Sequence, residues 1–310
     1  VNTINTNQGT FNDSQPKSFI HELQNKWWIF YYNGTHIEYA YFNNLNNKWI
    51  KVGTIQSATP DFAVIYKNIA NTSYCFLVYS NDHDILLKRG VVNNNNINFD
   101  DDIIVFDGQG PTDKTIDTYK IPSISISQTN HVWIAAAHQN TMGYAPVVKK
   151  SNNPATQDLS NWTEWETLHM RTSIITDINL LNKENNKMYL ITNEGGIMAY
   201  YFDENQWTPL LEGGEKAWFS FGHTGMKYKA VVVAANGDEI YIGGDGTSQP
   251  GALPYQMRLI KYNGITFEEI GRIIQSSKIN AIAITGNNVY AGGIISVVNI
   301  EETTTKNIIK

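Results

Sequence analysis

Short apolar, aromatic-rich runs recur along all 310 residues, each closed by Asn, Gly or Asp. This recurrence limits the possible folds more than any other feature. Runs such as Trp27–Tyr32, Ile37–Phe42, Phe62–Tyr66, Tyr74–Tyr79, His131–Ala137, Lys187–Thr192, Glu239–Gly243 and Asn288–Ala291 are rich in Ile, Val, Tyr, Phe and Trp. These residues suit a pleated, half-buried surface. The pairs Asn33-Gly34, Asn236-Gly237, Asn263-Gly264 and Gly286-Asn287 supply the positive φ angles of tight hairpin turns. No stretch combines a helical apolar period with caps, so helix should be nearly absent.

The runs group into units near 20–52, 60–106, 119–168, 173–210, 217–271 and 278–310. The units read as three strands and then a fourth, which often carries a large ring after a polar turn: Trp49, Trp162, Trp207, Phe267. A repeat of about 45 residues with four strands is the signature of a β-propeller blade. A lone four-stranded sheet cannot cover both faces. Radial packing covers them, and the large rings fill the wedge between neighbours. The expectation is an all-β, six-bladed propeller of four-stranded antiparallel blades, forming one domain over 1–310. The last unit holds about three strands, so residues within 1–19 should supply the missing one and close the ring. Two β-sandwiches are the alternative, but no Pro/Ser/Gly-rich linker divides the chain near its middle.

Composition then removes whole classes of function. Net charge is −6, and only Arg89, Arg171, Arg258 and Arg272 are arginines, which argues against a nucleic-acid partner. No apolar run is long enough for a membrane span. The single Cys75 excludes internal disulfides and cysteine-based zinc sites. The chain starts at Val1 rather than Met, compatible with a removed leader or a fragment, and no signal-peptide pattern decides between them.

The segment Lys17-Ser18-Phe19, Lys26–Tyr31, Ile37–Tyr41, Lys48-Trp49 resembles the opening blade of sialidase-like (BNR/Asp-box) six-bladed propellers. In the turn before Trp49, Asn44 stands at the Asp place, Asn46 at the Gly place and Lys48 at the Thr place, so the box is degenerate. Tyr144–Trp165, with Ser151 and Asp158–Trp162, resembles the third blade of that family. Arg258–Gly293 is similar to a related surface-protein repeat. The resemblance implies the fold, and export from the cytoplasm. A working sialidase would also carry three arginines around the substrate carboxylate, an Asp acid and a Tyr–Glu pair. There is no Arg-x-Pro segment here, and Lys17 stands near the first arginine place. A lysine cannot bind a carboxylate in bidentate fashion.

Other glycoside chemistry needs two carboxylates roughly 5–10 Å apart near the channel mouth. Asp61, Asp117 and Asp177 fall at starts of innermost strands, and His223 lies in a comparable loop of the fifth unit. Asp also opens strands simply because it caps turns. For stacking on sugar rings the candidates are Trp28, Trp133 and Trp218, which have no fourth-strand role, and Tyr255 in the loop insertion 244–256. The loop 108–118 is a second insertion. Asp100, Asp101, Asp102 and Asp107 could hold calcium, the one cofactor considered, although a solvated acidic turn explains them as well. His131 and His138 are seven apart on one strand and so face opposite sides. His83 reads as a hairpin tip.

The reading reached from sequence is a non-catalytic binding or scaffold propeller, secreted or displayed at a cell surface. Its partner would be a carbohydrate or another surface protein, with self-assembly as a further possibility. The alternative is a glycoside hydrolase using channel-mouth carboxylates.

Overall fold

The structure is a computed structural model. It describes residues 17–57, 59–109, 117–141, 143–166, 175, 178–182, 188–192, 198–203, 206–209, 227–236, 239–247, 256–263, 267–274, 278–285, 288–294 and 298–299.

The first blade is the meander β1 (Ser18–His21), β2 (Lys26–Tyr32), β3 (His36–Asn43), β4 (Lys48–Gln56). The second is β5 (Phe62–Ile69), β6 (Thr72–Asn81), β7 (Asp84–Val92), with an outer strand broken into β8 (Ile97–Phe99) and β9 (Ile103–Phe106), both paired to β7. The third is β10 (Asp117–Ile126), β11 (His131–Asn140), β12 (Gly143–Pro154), β13 (Trp162–Glu166). The fourth is β14 (Ile178–Asn182), β15 (Met188–Thr192), β16 (Met198–Asp203), β17 (Gln206–Pro209). The fifth is β18 (Lys227–Asn236), β19 (Glu239–Thr247), β20 (Gln256–Tyr262), β21 (Phe267–Ile274), and β22 (Lys278–Thr285) and β23 (Asn288–Ile294) open the sixth. A bridge from Asp245 to Lys278 fuses the last two sheets, and β24 (Val298–Asn299) adds to β21. The first strands of successive blades touch in sequence, β1 to β5, β10, β14, β18 and β22, and so line a common axis. The chain is an all-β propeller. Its one described helical element is the short 3-10 turn Glu22–Gln24.

Alternation along the strands explains why so many of them read as unbroken apolar runs. In β6, Cys75, Leu77 and Tyr79 pack toward the first blade with Trp28, Phe30 and Phe62. Phe76 and Val78 point the other way, toward Ile124, Ile134 and Val147 of the third blade. In β11, Val132, Ile134 and Ala136 face the second blade while Trp133, Ala135 and Ala137 face the fourth, against Ile178, Leu190 and Trp207. A strand buried on both faces loses its polar alternation.

Two details of the sequence reading change. The turn after β2 is centred on Gly34 (φ 104°) and Thr35, not on Asn33-Gly34. Asn33 caps it instead: its Oδ1 accepts from the amides of Thr35 (2.9 Å) and His36 (2.8 Å). For ring closure, residues 1–16 lie outside the described residues, while 18 and 19 belong to β1, the inner strand of the first blade.

Candidate functional site

The mouth of the channel is built where β1, β5 and β10 begin. Thr59-Pro60-Asp61 leads into β5, and Ser80 at the end of β6 ties this segment down. The Ser80 carbonyl accepts from Ser57 Oγ (3.1 Å) and Thr59 Oγ1 (3.0 Å), and the Ser80 amide donates to the Asp61 carbonyl (2.9 Å). Ser80 Oγ also reaches the Tyr119 carbonyl of the next blade at 3.4 Å. One small polar residue thus fixes the entry loop of its own blade and leans on the third. The Lys17 ammonium donates to the Phe62 carbonyl and lies 3.6 Å from the centre of the Phe62 ring.

Asp61 is the chemically distinctive group here. Burial pushes its carboxyl above the usual range, and the fields of Lys17 and Lys120 only partly offset this. No hydrogen bond or ion pair reaches its side chain among the described residues. Lys120, on β10, is exposed. The three charges come from three consecutive blades, and the two cations act on a carboxyl of raised proton affinity.

A second polar group stands on the same face, on the two inner strands of the third blade. β10 starts at Asp117, whose carboxylate meets His138 Nε2 at 2.8 Å across the β10–β11 pair. The Tyr119 ring stacks on His138 (centroids 4.5 Å apart, planes 11° apart) and on Phe106 (5.0 Å). The Tyr119 amide donates to the His83 carbonyl (2.9 Å), joining the Asp82-His83 hairpin tip to the third blade. Gly108 is packed so closely that an added Cβ would lie 2.3 Å from the His83 carbonyl oxygen and 2.8 Å from that of Asp117. Its amide donates to Asp84 Oδ1 at 2.8 Å. A histidine oriented by a carboxylate and an aromatic face is a group suited to moving a proton.

The structure sorts the sequence candidates unevenly. Asp61 and Asp117 both sit at strand starts on the mouth face, but they do not form a carboxylate pair. Lys120, not Asp117, is the β10 residue whose field reaches Asp61. Asp177, His223, Trp218 and Tyr255 lie outside the described residues. Trp28 and Trp133 are corrected: they are 0% and 4% exposed and sit in the wedge cores between blades, where no sugar face can reach them. Two of the four calcium candidates are already matched by cations. Asp100 pairs with Arg89 (2.7 Å), while Asp102 takes Lys88 (3.1 Å) and the Tyr79 hydroxyl (2.5 Å). Asp101 and Asp107 are exposed. Among the described residues no three acidic, histidine or cysteine side chains gather as a metal site. The acidic run is the break between β8 and β9, held by cations of the neighbouring strand. Sequence reasoning missed the Asp117–His138 pair and Lys120. The only available signal was the register that a long β10–β11 hairpin imposes.

No protein-family model matches the chain, and no curated protein matches it. Solved structures do. An ulvan lyase, described as a new family of polysaccharide lyase, aligns at TM-score 0.52 and 12% identity over 89% of this chain and 74% of its own. The same type of lyase bound to a GlcA–Rha3S saccharide aligns at 0.51. Trypanosoma rangeli sialidase, in complex with the inhibitor DANA, aligns at 0.52 and 10% identity over 92% of this chain, which spans about half (53%) of the sialidase. A luciferin-regenerating enzyme aligns at 0.50 and 11% identity, over 92% of this chain and 85% of its own. The likenesses establish a sialidase-like propeller fold. At such identities the fold is what they carry. No helix among the described residues is long and apolar enough to cross a membrane.

Proposed function

We propose that this propeller binds carbohydrate at the mouth formed by Lys17, Asp61 and Lys120. The observation that carries the proposal is the half-buried Asp61 carboxyl at the start of β5, acted on by the charges of Lys17 and Lys120 from the first and third blades. A sugar hydroxyl pairs with such a carboxyl, and the exposed Lys120 ammonium suits a uronate or sulfate group. Support comes from the neighbours, which include an ulvan lyase bound to a GlcA–Rha3S saccharide and a sialidase. The proposal includes secretion or surface display, as the resemblance to exported propellers implies.

Cleavage of the bound glycan is the second reading. It is favoured by the raised proton affinity of Asp61, the direction a proton donor needs, with the Asp117–His138 pair on the same face. A glycan array, followed by calorimetric titration of each hit, tests binding. Lys120→Met should weaken an acidic hit by about tenfold. An array without hits, or a hit indifferent to both Lys120→Met and Asp61→Asn, overturns the proposal. Release of reducing ends or unsaturated uronate by the wild type, lost by about a hundredfold in Asp61→Asn, establishes cleavage.

A further inference from the structure

The opposite face of the first two blades carries a cleft of about 510 Å³, within the range of small-molecule sites (roughly 300–1,000 Å³). It lies between the end of β1, the β5–β6 turn and the β7–β8 turn. Its wall includes His21, Leu23, Gln24, Asn71, Asn93 and Asn94. None of its lining residues is acidic, lysine or arginine. His21 is 2% exposed, with Nδ1 lacking a hydrogen-bond partner, and burial holds its imidazole below the usual range, in the neutral form. Gln24 donates its amide nitrogen to Asn94 Oδ1 (2.5 Å) and leaves Oε1 without a partner.

The wall is held in shape without a ligand. The Asn93 amide donates to the Asn96 carbonyl at 2.8 Å, closing the β7–β8 turn. Lys26 of β2 reaches across the blade boundary to the Asn94 carbonyl and to Asn95 Oδ1 (2.8 Å). Asn71 stands in the left-handed region (φ 64°), fixing the β5–β6 turn. Tyr66 lies against the His21 ring, centroids 5.6 Å apart, and bonds Ser73 Oγ at 2.9 Å. The outcome is a pre-formed, uncharged, amide-rich cleft with one exposed aliphatic side chain, Leu23 (70% exposed), at its edge. Side-chain amides offer both donors and acceptors in the pattern that vicinal hydroxyls match, and an aliphatic edge suits the C–H face of a sugar ring.

We propose that this cleft is a second binding site, separate from the mouth, that takes a short neutral oligosaccharide. Asn93, Asn94 and Asn95 are exposed and line the cleft, so their side-chain amides present hydrogen-bonding groups on the side where a ligand would dock. An acidic saccharide is disfavoured, because the cationic group beside the cleft, Lys26, already spends donors on Asn94 and Asn95.

The test is calorimetric titration of the whole chain with four neutral probes, cellotriose, xylotriose, mannotriose and maltotriose, and with trigalacturonate as the acidic comparison. At least one neutral probe should bind, and Gln24→Leu and Asn93→Ala should each weaken it about tenfold. Asp61→Asn and Lys120→Met should leave it unchanged, which separates this site from the mouth. Gln24 and Asn93 lie on surface turns, and a thermal melt of each variant confirms folding. No binding of any neutral probe, binding unmoved by both cleft variants, or tighter binding of trigalacturonate through the cleft residues would each overturn the proposal. Loss of affinity only in the mouth variants would place the neutral ligand at the mouth and overturn it too.

Discussion

The two faces of the disc differ in a way that follows from which ends of the strands they collect. The mouth gathers the starts of β1, β5 and β10 and brings together Lys17, Asp61 and Lys120, with Asp117 and His138 on the same face. The opposite face gathers the end of β1 and the turns that reverse β5 and β7, and it brings together amides and a neutral histidine. Charges at the mouth alter one another, as the two lysines do to Asp61. Amides on the opposite face hold one another in place. The first face is equipped to respond to pH and salt, and the second is equipped to hold a neutral shape.

The sharpest way to break this comparison is to remove what both faces share. Trp28 fills the wedge between the first two blades. Trp28→Ala should cost about 3–5 kcal/mol. Binding at both faces should be lost together in a urea titration monitored with each ligand. Loss at only one face would contradict a common core.

Gly108→Ala should act on the mouth alone. The new methyl has no room beside the His83 and Asp117 carbonyls, so the backbone must move, at about 1–3 kcal/mol. Mouth binding should weaken while the neutral-probe affinity of the cleft stays at its wild-type value. Arg89→Lys should be milder. Arg89 grips Asp100 with two nitrogens and reaches the Ala155 and Gln157 carbonyls of the third blade at 3.0 and 2.7 Å. A lysine keeps the charge but not the fork, and about 1 kcal/mol of stability should go, read as a lower midpoint in denaturant.

The smallest effect is the most diagnostic. The folded-state pKa of Asp61 is raised above its unfolded value, so the folded chain holds the proton more tightly. The resulting contribution to stability is fully present below the ordinary carboxylate range and is lost as pH rises through the elevated pKa. Asp61→Asn, which cannot ionise, should therefore be more stable than the wild type at neutral pH. The gap should shrink as pH falls toward the usual carboxylate range. Melting curves across that range check the sign. A gap that widens on acidification would mean that the two lysines outweigh burial.

Much of the fold was legible because four-strand units with a ring in the last strand leave a period, and Trp49, Trp162 and Trp207 all fall on the outer strands expected of them. What could not be read was the direction of Trp28 and Trp133. The strand of Trp133 is buried on both faces, so alternation no longer marks a side, and the run Trp27–Tyr32 is apolar or aromatic throughout, so the sequence does not show that Trp28 is buried while Trp27 is exposed. The pairing of the acidic run was hidden for another reason. Its partners, Lys88 and Arg89, stand on the neighbouring strand β7, and only the hairpin register reveals that their charges are already matched. Asp61 was placed at a strand start from sequence, but its lysine neighbours are 44 residues before it and 59 after it, a proximity that only a ring of blades creates.

The most direct measurement is a crystal structure of the chain soaked with an acidic glycan taken from the array. The account predicts sugar density across the mouth, within hydrogen-bonding distance of Asp61 and with an anionic group at Lys120. Density that avoids both residues, on a blade edge or the disc rim, would contradict it.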